Sequence, residues 1–151
     1  MRVMSWCALP ALAASPAVAQ RAYDRPPIVK EGTTVRISPH VYVIPDERAR
    51  GVPNVGIIVD SRATLVVDPG MGFKGGQAIL REVAKISKGH DLYIVNTHFH
   101  PEHTRGEVAF PETAKVIRAV AQQEDMEEEG LKWVEIFSKR SPELTELLKD
   151  V

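Results

Sequence analysis

Apolar residues come in short alternating or continuous blocks through the first two thirds of the chain and then spread to a helical spacing. Val41-Tyr42-Val43-Ile44, Asn54-Val55-Gly56-Ile57-Ile58-Val59, Leu65-Val66-Val67 and Leu92-Tyr93-Ile94-Val95 are short, rich in β-branched residues and bounded by polar residues, glycine or proline, which predicts strands. Between the third and fourth of these, Ile79, Leu80, Val83 and Ile86 recur at helical spacing and predict a helix from about Gly75 to Ser87 with a core-facing stripe. Lys115 to Val120 fits a strand or the start of a helix, and periodicity does not choose between them. Leu131 to Phe137 reads as helical, with Trp133 and Phe137 on one face as core residues or as exposed surface. Ser141-Pro142 pairs a capping residue with proline at the first helical position, so a last short helix should end near Asp150.

The resulting order is strand, strand, strand, helix, strand, loop, short strand, helices, an α/β (α+β) arrangement within the size of a single domain of 151 residues. A hydrophobic content of 44% supports a core, and a formal charge of -1 gives no basic footprint for nucleic acid. The acidic run Glu124 to Glu129 reads as the solvated face of a helix. Arg2, the apolar stretch Val3 to Ala14 and the small residues Ala17-Val18-Ala19 before Gln20 have the layout of a secretory signal peptide, too short to span a bilayer. The expected division is a signal peptide at 1–19, a flexible leader at 20–32 with Pro26-Pro27, and a domain at 33–151. The product would be periplasmic or secreted, without a membrane segment after cleavage. Cys7 lies inside the cleaved part, so stability would rest on core burial and any bound metal.

The densest chemistry is His98-Phe99-His100-Pro101-Glu102-His103, three imidazoles and a carboxylate just after the fourth strand. In an extended segment His98 and His100 point to one side, and a turn at Pro101 brings Glu102 and His103 from another direction. Nitrogen donors with one carboxylate and no thiolate fit zinc. His40 and His90 stand alone and read as surface histidines. Asp68-Pro69-Gly70 has the composition of a turn.

With these residues in view, the chain resembles the metallo-β-lactamase-fold zinc hydrolases, whose signature is His-x-His-x-Asp-His after a strand. The strands ending at Ile44, Val59 and Asp68-Pro69-Gly70 are similar to that family's opening strands. Within it the chain looks closest to periplasmic members associated with quinoprotein or sulfur-oxidation systems. The resemblance implies the N-terminal half of an αββα sandwich, one mixed β-sheet flanked by helices. It also implies that His98 and His100 serve a first zinc, Glu102 and His103 a second, and that Asp68 orients the metal loop from behind. Glu102 stands where the family has aspartate, and it is the residue expected to act on protons as well as metal. The family completes its site with a later histidine and aspartate, and no histidine follows His103 in this sequence.

The expected function is therefore zinc-dependent hydrolysis of a small-molecule substrate by a truncated form with an incomplete site. The alternative is a non-catalytic or vestigial periplasmic metal-binding domain. Redox sulfur chemistry on iron is encouraged by some family members but by no residue here. A sheet lacking its partner layer should also expose apolar area and favour self-association.

Overall fold

A computed structural model describes residues 25–151. The expected signal peptide lies outside the described residues. Six strands form one sheet in sequential order: β1 (Val35–Arg36), β2 (Val41–Ile44), β3 (Val55–Val59), β4 (Ala63–Val67), β5 (Asp91–Val95) and β6 (Lys115–Ile117). The first four pair antiparallel, whereas β4, β5 and β6 run parallel. Parallel neighbours need a crossover, and helix α1 (Gly72–Ile86) supplies it between β4 and β5. After β5 come a single helical turn, α2 (Pro101–Thr104), and a 3-10 segment at Arg105–Ala109. Helices α3 (Val120–Ser138) and α4 (Pro142–Leu147) end the chain. The mixed sheet with flanking helices is the α/β architecture expected for half of the sandwich.

Strand alternation gives the sheet two unlike faces. On one, Ile44, Val55, Ile57, Val66 and Ile94 are at most 1% exposed and pack with Ala78, Ile79 and Val83 of α1. At about 25 cal/mol for each Å² of apolar surface removed from water, this layer is the main stabilising contribution. On the other face the registers line up Val35, Val43, Gly56, Val67, Val95 and Ile117 in one row, and Val41, Ile58, Leu65, Tyr93 and Lys115 in the next. None of these is buried, and Val35, Ile58 and Ile117 are 53%, 39% and 53% exposed.

Several boundaries differ from expectation for tertiary reasons. Helix α1 starts at Gly72, three residues early, because Gly72, Gly75 and Gly76 are buried against other chain segments. The ambiguous stretch at Lys115 divides, with β6 pairing along β5 through Ile117 and α3 starting at Val120. Ser141 accepts the Leu144 N–H at 3.2 Å as an N-cap with Pro142 at the first helical position, and α4 stops at Leu147.

The described part of the 20–32 leader lies against the domain: Val29 is 6% exposed in the main core, and the Gly32 N–H donates to buried Glu82 at 2.9 Å. A second cluster gathers Met71, Phe137, Leu144, Leu147 and Leu148, with Ile28 touching both. Phe137 is thus a core residue at 3% exposure, while Trp133 is half-buried beside it. Glu124, Asp125, Glu127 and Glu128 are exposed, as expected of a solvated helix face.

Candidate metal centre

The site forms where the sheet changes from antiparallel to parallel, at the carboxyl ends of β4 and β5, where open α/β sheets leave a crevice. Asp68 leaves β4 in the left-handed region, φ 60°, which an aspartate tolerates better than most residues. Its N–H still donates to Val95 O at 2.9 Å, and its carboxylate prolongs the β4–β5 ladder by accepting the Thr97 N–H at 2.8 Å. Thr97 Oγ1 donates to the same carboxylate, 2.9 Å from Oδ2. The side chain of Asp68, 4% exposed as a residue, therefore clamps the start of the histidine loop.

The loop is folded on itself. Asn96 Nδ2 donates to His103 O at 2.7 Å, and Thr104 Oγ1 donates to His100 O at 3.1 Å. Pro101 opens α2 at its first position, where its missing N–H costs nothing. The following 3-10 segment drops onto α1 because Gly76 and Gly106 carry no side chain. A Cβ on Gly76 would overlap Gly106 O, and one on Gly106 would overlap Pro69 O.

The loop brings His98, His100 and His103 together, with ring centroids 4.8 Å apart for His98 and His100 and 4.0 Å for His98 and His103. His103 Nδ1 lies 3.0 Å from Asp68 Oδ2, although the N–H does not point along a hydrogen bond, so attraction rather than alignment carries that contact. His98 Nδ1 is 3.1 Å from Thr97 Oγ1. Because the single Thr97 hydroxyl proton goes to Asp68, His98 must supply the proton of its own bond. The His98 ring is then protonated on Nδ1, leaving its Nε2 as a lone pair.

Burial first, and then the charges of His103 and His100, hold the His98 imidazole below its ordinary value, against the opposing pull of Glu102 and Asp68. A neutral ring is the form that binds metal. Burial raises the Asp68 carboxyl, but the adjoining His103 ring and the bonds from the Thr97 N–H and hydroxyl outweigh it and keep the group below the usual aspartate range.

Glu102 Oε2 is buried without a hydrogen-bond partner, an open acceptor whose charge acts on the His98 ring. By their chemistry these donor types suit a divalent cation, and His98, His100, Glu102 and His103 are the residues that would hold it. Closure is another matter. Among the described residues, no group of three or more His, Cys, Asp or Glu side chains is placed so that it could hold an ion. His40 and His90 do not help, because they bond Val59 O and Thr64 Oγ1 at the opposite end of the strands. Thr97 and Asn96, which organise the loop, were not singled out by sequence. Their only signal was adjacency to His98.

An α/β sheet with a histidine loop at the rim of its parallel strands is the arrangement of a metallohydrolase half-sandwich. Residues 48–150 match the metallo-beta-lactamase superfamily, and the chain belongs to it. Among solved structures, a Cronobacter sakazakii metallo-beta-lactamase with a HARLDQ motif superposes with a TM-score of 0.50 and 20% identity, over 68% of this chain and 39% of that one. A motif mutant from the same organism gives 0.49 and 21%, over 65% and 38%. MEM-A1, a subclass B3 metallo-beta-lactamase from a soil metagenome library, gives 0.48 and 16%, over 66% and 37%. At these identities the likeness is one of fold, and the chain spans under two fifths of the length of each. No curated protein matches the chain.

Proposed function

We propose that this chain carries the metal-loop half of a zinc-dependent hydrolase acting on a small molecule, with donors from outside these residues needed for full turnover. The observation that supports it most is the gathering of His98, His100 and His103 on one loop, with His98 tethered at Nδ1 by Thr97 and His103 drawn to Asp68. Bound zinc supplies a Lewis acid and a water whose pKa falls toward about 7. The chain's own work is narrower. Thr97 fixes the His98 tautomer, Asp68 draws in His103, His98 and His100 bind, and Glu102 Oε2 is placed to ligate or to accept a proton. The signal-like start favours export to the periplasm or beyond, consistent with a diffusible small-molecule substrate.

A second reading is a non-catalytic or vestigial metal-binding domain, in which Glu102 stands where the family has aspartate. Calorimetric titration of the full chain with Zn²⁺ tests the shared premise. Weak binding that disappears in His98→Ala/His100→Ala is expected, and an unchanged isotherm in the double variant would reject the loop as the site. Chelator-sensitive turnover of generic ester or lactam substrates would reject the second reading, whereas background rates are expected of both. The isolated chain should stay near background, since two histidines do not make the usual three-ligand catalytic site.

A further inference from the structure

The three imidazoles are not held alike. His98 is tied through Thr97 Oγ1 and His103 by Asp68, whereas among the described residues no hydrogen bond reaches either ring nitrogen of His100. What holds His100 is aromatic. Its ring lies 4.3 Å from the Trp133 ring at a tilt of 37°, with Phe99 at 5.4 Å and Phe137 at 6.3 Å. Trp133 is braced in turn by Phe137, 6.3 Å away and nearly edge-on, and Phe137 is rooted in the second core cluster under the Arg140 guanidinium. A continuous line of rings therefore runs from the core of α3 and α4 to His100. Gln122 of α3 adds a polar tie, donating to Asn96 O at 3.3 Å.

We infer that Trp133 is the positioning residue of His100, doing with a ring what Thr97 does for His98 with a hydrogen bond and Asp68 for His103 with its charge. This rests on the reading that the loop takes a divalent cation. A metal-ligating imidazole is ordinarily oriented through its far nitrogen, and losing that partner typically lowers affinity about 10- to 100-fold. An indole packed at this tilt restrains the ring and excludes water from one side while leaving both nitrogens open. It also makes the docking of α3, whose Trp133 lies far along the chain from the loop, a condition for the third donor. Any flat aromatic side chain should suffice at 133, and an aliphatic one should not.

The chain has two tryptophans, so a Trp6→Phe background leaves Trp133 as the sole indole. Titration of that full-length protein with Co²⁺ is followed by visible absorption, which reports binding, and by indole emission, which reports metal beside Trp133. Emission should fall in step with the absorption band. In the otherwise unaltered chain, Trp133→Phe should keep the Co²⁺ affinity, and Trp133→Ala should lower it about 10-fold or more. Trp133→Leu, which fills the volume without an aromatic face, serves if the alanine variant does not fold, and it too should bind weakly. Co²⁺ bound without loss of emission, or with equal affinity in the leucine variant, overturns the role of Trp133 while the metal site stands. Absence of Co²⁺ binding in every version overturns the metal reading and this inference together.

Discussion

Asp68 Oδ2 lies 3.0 Å from His103 Nδ1, which joins the end of β4 to a residue eight positions beyond the end of β5. The same carboxylate receives the Thr97 N–H at 2.8 Å, so one side chain fixes both ends of the histidine loop. Asp68→Ala should destabilise the protein by about 2–3 kcal/mol, the scale of lost hydrogen bonds to a charged group. Asp68→Asn keeps an acceptor for Thr97 and tolerates the positive φ, so its stability cost should be smaller, yet its Zn²⁺ affinity should still fall. Urea unfolding and calorimetry check the two effects. Equal stability of the alanine variant and the parent would remove the clamp from this account.

Stability should decline toward acid in two steps. The folded His98 ring resists protonation below the ordinary 6.5, so between that value and its lowered folded pKa the unfolded chain binds more protons. Stability therefore rises with pH across that window and is lost on the way down through it. Asp68 behaves likewise below its ordinary 3.8: its contribution is present above that value and disappears as pH falls through its lower folded pKa. Urea midpoints measured across pH for the parent and for His98→Asn isolate the upper step. A parent midpoint that climbs as pH drops below 6.5, relative to that variant, would contradict the shift.

Gly76 and Gly106 meet where the 3-10 segment sits on α1, and neither leaves space for a methyl group. Gly76→Ala and Gly106→Ala should each cost about 1–3 kcal/mol or more through forced overpacking. Because that contact holds the back of the histidine loop, both should also weaken Zn²⁺ binding. Thermal unfolding monitored by circular dichroism reads the first effect. Gly32→Ala, where nothing lies within 4 Å but φ is 80°, serves as a control for backbone strain alone.

The uncovered sheet face, centred on Ile58, Val67 and Val95, should drive reversible self-association. Packed sheets cover such faces at a spacing of about 10 Å, and a neutral apolar surface has few other complements. Ile58→Lys, in the middle of the face, should shift the chain toward monomer in sedimentation experiments without unfolding it. A parent chain that stays monomeric at high concentration would dispose of this expectation.

What the sequence determined by itself was local. Period-two blocks located the strands from β2 to β5, the Ile79–Val83 stripe located the body of α1, and ligand density located the loop at His98, because side-chain spacing and residue chemistry are written along the chain. Family resemblance added the layer order and the station of Asp68 behind the loop, and the family match and sheet topology bear out the fold. Only the tertiary structure decided where α1 begins, since the backbone pressed against Gly72 comes from Leu147, far along the chain. It alone packed Val29 into the core, divided Lys115–Val120 between a strand and a helix, and brought Trp133 to His100. Each of these depends on contacts between residues far apart in the chain, whose free energy outweighs local preference and leaves no periodic trace in the sequence.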